Sequence, residues 1–338
     1  MLPKNTFAHS PGKLIISGEH SVVYGAPALA LAINKKITTE MSPWPLPEIV
    51  ITADAIPNSY KISITELPNL IKAIDTRYNL FAKGKINIEE VLESPFELIS
   101  YTIAKTLALS PTPIQHGMCV NIKSSLPISC GLGSSAAAIV STIKACIAYC
   151  KSKIATNELI NLATNIENLQ HGNSSSLDVN VTCRQNALLM LNGKIYPRNI
   201  DSNFKFLLVN TGKPESSTGA CISAVKPFFA DKKLIAEFAN TTNSIDEALK
   251  NKGDVAIKKG IQKNHQLLTQ IGIVPKKVQN FIKQIEEIDG VGKICGAGSI
   301  KGDNAGAVLI IGKNDNVAKI CKKFDYSCEL LTIAAPRF

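Results

Sequence analysis

The stretch that decides the fold is Pro127-Ile-Ser-Cys-Gly131-Leu-Gly133-Ser134-Ser135-Ala136-Ala137, which runs directly into the Ala-rich apolar segment Ala136 to Tyr149. Gly131 and Gly133 permit backbone angles that turn successive amide groups to one side. Ser134 and Ser135 fall at the start of the predicted helix, where unpaired N–H groups and the positive end of the dipole favour an anion. A hydroxyl there can also ligate Mg²⁺. Read alone, the stretch fits a phosphate loop or a plain serine cap after a flexible turn.

Two further segments add polar chemistry. In Pro11-Gly-Lys13-Leu-Ile-Ile-Ser-Gly18-Glu19-His20-Ser-Val-Val-Tyr-Gly25, three ionisable groups sit among apolar and turn residues. A buried lysine in such a setting clamps a carboxylate or a phosphate. In Glu167-Asn-Leu-Gln-His171-Gly172-Asn-Ser-Ser-Ser-Leu-Asp178, a predicted helix ends at His171-Gly172 and a serine-rich turn leads to the second acid. Two carboxylates so placed divide labour, one holding a cation and the other taking a proton from a hydroxyl. Each acid alone reads equally as a cap or a surface charge.

Other nucleotide signatures are missing. No GxxxxGK[ST] occurs, and Gly296-Ala297-Gly298-Ser-Ile-Lys-Gly302 spaces its last glycine one residue too far for GxGxxG. The chain has 338 residues, a prior of about two domains. Its 45% hydrophobic and 19% charged content is that of an ordinary globular protein and excludes collagenous, coiled-coil and disordered classes, and the strand and helix pattern set out below makes it α+β. No apolar run reaches the ~18 residues of a membrane span, and the first ten residues lack the apolar core of a secretory signal. The nine cysteines are odd in number, scattered and without a CxxC pair, so they read as free thiols of a reducing cytoplasm. The net charge of +10 suits either nucleic acid or anionic small molecules. Lysines are dispersed as doublets and aromatics, at 6%, do not interleave with them, which argues against a base-stacking surface.

The spacing of apolar residues predicts strands at 5–8, 14–18, 28–33, 37–41, 48–53, 118–124 and 186–191 and helices at 66–79, 88–109, 136–149 and 157–170. The polar stretch 192–203 is the candidate boundary, giving domains 1–192 and 193–338. Beyond it strands are expected at 204–210, 292–295, 305–311 and 328–334, with five helices among them.

Taken together and in this order, the three segments resemble the GHMP kinase superfamily, and the Gly18-Glu-His-Ser-Val-Val-Tyr-Gly25 and Glu167…Asp178 segments resemble its mevalonate kinase branch. The resemblance implies a two-domain fold, the first domain like the second domain of ribosomal protein S5 and binding ATP, the second ferredoxin-like, with the active site in the cleft between them. It implies ATP- and Mg²⁺-dependent phosphorylation of mevalonate, no nucleic-acid or membrane partner, and a homodimer. By position it assigns Asp178 as the base or orienting group, with Lys13 pairing with it and stabilising the phosphoryl in transit. Gly131, Leu132, Gly133, Ser134, Ser135 and Ala136 would wrap the ATP phosphates, with Ser135 and Glu167 on Mg²⁺ and Ser134 the alternative. Glu19, His20, Gly296 and Ala297 would line the substrate pocket. Phosphomevalonate kinase, another small-molecule kinase of the superfamily, and a silent binding protein on the same fold are the competing readings. Two places depart from the pattern: Ser174-Ser175-Ser176 stands where the family commonly has Pro-Ser-Gly, and the glycine-rich run at 296–306 is longer and charged.

Overall fold

The computed structural model describes residues 4–54, 56–110, 114, 116–127, 130–200 and 205–334. The chain divides into two compact units interleaved in sequence. One takes Met1–Gly12, Lys35–Leu126 and Gly133–Cys183, and the other Lys13–Asn34, Pro127–Leu132 and Arg184–Phe338. Strands β1 (Thr6–Ser17) and β2 (Ala28–Trp44) each begin in one unit and end in the other. The expected strands at 5–8 and 14–18 are therefore one, as are those at 28–33 and 37–41; Asn34, Lys35 and Lys36 continue β2 without a break.

In the first unit the second half of β2 pairs antiparallel with β5 (Gly117–Ser124), which runs parallel to β3 (Glu48–Ala53). β3 in turn pairs with β4 (Ile56–Ser63), an unexpected strand. β4 lies at the edge, where Pro57 costs no ladder bond and its polar side chains stay wet. Helices α1 (Leu67–Ala82), α2 (Pro95–Leu107), α3 (Ser134–Tyr149) and α4 (Thr156–His171) bury Ile74, Leu98, Ile139, Ile143 and Ile166 in one core. The single helix expected over 88–109 is broken: a short 3₁₀ turn covers 88–90, and Pro95, which disfavours a helical residue before it, starts α2 afresh. A short helix, α5 (Leu177–Arg184), follows the serine-rich turn.

In the second unit Ala28–Ala30 of β2 pairs with β6 (Ala187–Leu191), and β6 forms a hairpin with β7 (Lys194–Arg198). The hairpin turns on Asn192 (φ 50°) and Gly193 (φ 71°), the pairing that a two-residue turn matched to strand twist requires. The polar stretch 192–203 thus opens with a strand, and its residues 201–203 lie outside the described ones, as does Phe204. Then come β8 (Phe206–Asn210), α6 (Thr218–Val225), α7 (Lys232–Lys250), α8 (Asp254–Gln270), α9 (Lys276–Glu286), β9 (Val291–Cys295), β10 (Ala307–Ile311), α10 (Asn314–Phe324) and β11 (Ser327–Leu331). The antiparallel sheet order β11-β8-β10-β9 is the 4-1-3-2 order of a ferredoxin-like unit, with four helices where the minimal motif has one. Val209, Phe238, Leu267, Phe281, Ile294 and Val308 share its core. Among the described residues no helix is long and apolar enough to cross a membrane.

Candidate active site

The first polar segment folds against the start of β2. Gly18 (φ 100°) approaches Ala28 so closely that any side chain would collide with its backbone. That turn buries Lys13 and Glu19, both under 5% exposed. The Lys13 amide donates to the Leu132 carbonyl at 2.9 Å. Glu19 meets the ammonium of Lys293, on β9, which also donates to the Ile15 carbonyl at 3.1 Å. Neither side chain of this pair sees solvent. His20 sits at φ 59° with Nε2 3.0 Å from the Ala297 carbonyl. Burial lowers its pKa to about 4, a shift that the bond to Ala297 partly opposes. The ring is therefore neutral near pH 7, and since a carbonyl only accepts, Nε2 carries the hydrogen.

The glycine-rich segments meet inside the same unit. A Cβ on Gly131 (φ 77°) would stand 2.5 Å from the Cys295 carbonyl oxygen, and one on Gly296 (φ 101°) 3.1 Å from the Gly131 Cα. Cys130 accepts from the Ala307 amide at 3.1 Å, so residues 130–132 thread between Lys13 and the loop joining β9 to β10. Ile128 and Ser129 of the motif lie outside the described residues. The long loop at 296–306 is tied down by Ser299, 1% exposed, whose hydroxyl reaches Ser216 Oγ at 3.0 Å and the Lys301 carbonyl at 2.7 Å. Thr211 secures its far end by accepting from the Ala305 amide and donating to the Gly306 carbonyl, both at 2.9 Å.

In the first unit Gly133 (φ 69°) precedes α3, so Ser134, Ser135 and Ala136 form its first turn, with amides that have no acceptor within the helix. Ser135 Oγ lies 3.3 Å from His171 Nε2. Glu167, 2% exposed, is one helical turn before His171 and so on the same face of α4. The serine turn folds back onto that face: Ser174 donates its hydroxyl to Glu167 Oε2 at 2.9 Å and its amide to Asn168 Oδ1 at 2.7 Å. Asp178, partly exposed, follows the serine-rich turn in the first turn of α5, a helix for which no element was expected. A buried carboxylate and a nearby hydroxyl at a helix N-terminus are hard oxygen donors. They fit Mg²⁺, which keeps waters and phosphate oxygens as its remaining ligands. Accordingly no cluster of three or more His, Cys, Asp or Glu side chains is needed, and none occurs among the described residues.

The contacts of three residues escaped the sequence reading. Lys293 is a lone charge inside an otherwise apolar strand, and that oddity was the available signal. His171 ends α4, as expected, and its ring also meets Ser135, a contact without local signal. Ser174 stands out in the sequence only as a departure from the family's proline, with nothing to show its bond to Glu167.

Residues 97–185 match the model of the GHMP kinases N terminal domain, a span running from within α2 through α5 and therefore holding the glycine-serine turn, Glu167 and Asp178. That span is similar to the GHMP kinases N terminal domain, and the whole chain is similar to mevalonate kinases from end to end. It is 27% identical to that of Methanocaldococcus jannaschii over 94% of this chain and 95% of the relative, and 28% identical to that of Pyrococcus horikoshii over 94% and 92%. The crystal structure of the Methanococcus jannaschii mevalonate kinase superposes with a TM-score of 0.82 at 26% identity, covering 98% of this chain and 99% of that one.

Proposed function

We propose that this chain is an ATP-dependent mevalonate kinase that transfers the γ-phosphoryl group to the primary hydroxyl of mevalonate. The observation that carries the reading is the end-to-end similarity to mevalonate kinases, which leaves neither unit of the fold without a counterpart. Residues 1–192 would form the ATP-binding domain, with 13–34, 127–132 and 184–192 folding into the second compact unit, and residues 193–338 the C-terminal domain of an enzyme working in a reducing cytoplasm as a homodimer.

The hydroxyl oxygen attacks the γ-phosphorus, the bond to the bridging oxygen of ADP breaks, and the hydroxyl proton passes to Asp178 or is oriented by it. Amides of Gly131 to Ala136 hold the phosphates, and the Lys13 ammonium offsets charge on the phosphoryl group in transit. Such positioning and charge neutralisation are most of what phosphoryl transfer asks of a protein. Glu167 and Ser135, with Ser134 the alternative, would hold Mg²⁺, which when bound neutralises the β- and γ-phosphate oxygens. Neutral His20 offers mevalonate a polar edge beside Gly296 and Ala297. Glu19, anchored by Lys293, would line the mevalonate site beside His20.

The test is ADP release from ATP·Mg²⁺ with mevalonate, 5-phosphomevalonate, galactose or homoserine offered singly. Turnover is expected with mevalonate, and Asp178→Ala should lower it by about 10²- to 10⁴-fold. Turnover with 5-phosphomevalonate alone would replace the acceptor in this reading, and turnover with none would reject the kinase.

A further inference from the structure

We propose that Ser174 is a positioning residue for a divalent cation: its hydroxyl sets the carboxylate of Glu167 in the orientation that binds the metal. The inference rests on Glu167 being a metal ligand, as proposed above.

The hydrogen-bond directions around Ser174 are forced. Its Oγ lies 3.1 Å from the Ser176 amide, which can only donate, so Oγ accepts there. The single hydroxyl proton is thereby left for Glu167 Oε2, 2.9 Å away. The serine itself is pinned by its own amide, which donates to Asn168 Oδ1 at 2.7 Å. Consecutive residues of α4, Glu167 and Asn168, thus hold the backbone and side chain of one residue in the turn. Proline at this position could supply neither the amide nor the hydroxyl.

A neutral donor suits the task. The terminal torsion of a glutamate is broad, so a carboxylate without a fixed donor samples many orientations. Mg²⁺ demands near-ideal octahedral geometry and tolerates such scatter poorly. A hydroxyl narrows the orientation while leaving the carboxylate its negative charge. Partners that orient a ligating side chain in this way typically account for 10- to 100-fold in metal affinity. The same turn continues into α5: the Ser176 carbonyl accepts from the Asn180 amide at 2.9 Å and from Asn180 Nδ2 at 3.0 Å. Asp178 is therefore carried by a segment whose start is fixed to Glu167.

The experiment uses Mn²⁺ as a spectroscopic probe, titrated into the full chain with ADP and followed by the electron paramagnetic resonance of free Mn²⁺, with no turnover. Ser174→Ala should weaken Mn²⁺ about tenfold, with ADP affinity in the absence of metal unchanged. Ser174→Thr, which keeps the hydroxyl, should stay close to the parent. Ser174→Cys keeps the shape but donates weakly, and should weaken Mn²⁺ in the same direction even where the alanine variant folds poorly. Glu167→Gln should weaken it at least as much, and adding Ser174→Ala to that variant should cost nothing more. If Glu167→Gln weakens Mn²⁺ while Ser174→Ala and Ser174→Cys match the parent, the positioning role is overturned and Glu167 stands. Unchanged Mn²⁺ affinity in Glu167→Gln would instead remove the metal-ligand reading beneath it.

Discussion

Two glutamates, both 3% exposed or less, each meet a donor of different chemistry. Glu19 is met by the ammonium of Lys293 in the second unit, so a full positive charge lies against it. Glu167, in the first unit, accepts from the Ser174 hydroxyl, which orients a carboxylate without neutralising it. Burying a carboxylate demands partners in either case. The first arrangement suits an anchor, fixing the turn that presents His20. The second suits a ligand, whose charge has work to do on a cation. Burial of an acid therefore says little about its role until the chemistry of the donor beside it is known.

The sharpest way to break the contrast is to remove the lysine. Lys293→Met leaves Glu19 as an unpaired buried carboxylate and should destabilise the protein by about 3–5 kcal/mol, read from urea unfolding. Lys293→Met combined with Glu19→Gln removes both charges and should recover most of that loss. Equal losses in the single and double variants would mean that the pair contributes by shape rather than charge. Ser174→Ala, by comparison, removes one hydrogen bond to a buried carboxylate and one from the Ser176 amide, and should cost about 1–3 kcal/mol.

The second unit also holds two histidines kept neutral by burial, His20 and His265, each with its pKa lowered to about 4; at His265 the nearby Lys293 charge adds to burial. Their unfolded values lie near 6.5, so between about pH 6.5 and pH 4 the unfolded chain binds more protons than the folded one. Stability from this source is complete above pH 6.5 and is lost as the pH falls towards 4. Unfolding curves at pH 7, 6 and 5 should show the decline, and His265→Gln should flatten it. A decline of equal slope in that variant would assign the acid sensitivity to other groups.

Much of this arrangement was legible in the chain. The glycine-serine turn could be placed because φ-permissive residues, serines and an apolar helix follow one another within eleven positions. The C-terminal strands and helices were legible because each carries its own apolar period, even α9 and α10 with their many lysines. The hairpin of β6 and β7 was missed although Asn192-Gly193 announced it, because the flanking Lys194–Arg198 is polar and reads as linker. Lys293 stayed hidden for another reason. Its partner is 274 positions away, and no local pattern reports a long-range ion pair. The same holds for Ser135 and His171, 36 positions apart.

The smallest effect bears on how the serine turn replaces the family's Pro-Ser-Gly. Ser176 adopts φ 63°, the left-handed conformation that glycine takes freely and a side chain pays about 1–2 kcal/mol to enter. The turn thus keeps a backbone shape suited to glycine while using serine, and the Ser176 hydroxyl accepts from Asn180 Nδ2 at 3.3 Å. Ser176→Gly relieves the left-handed strain but loses that acceptor and loosens the unfolded chain by about 0.4–1 kcal/mol. These terms nearly cancel, so thermal unfolding should move by no more than about 1 kcal/mol. Mn²⁺ affinity should be unchanged, because the Ser176 amide that fixes the Ser174 hydroxyl remains. A loss of metal affinity in Ser176→Gly would mean that the strained serine backbone, and not Ser174 alone, holds Glu167 in place, and the two glutamates would then differ in the rigidity of their supports as well as in donor charge.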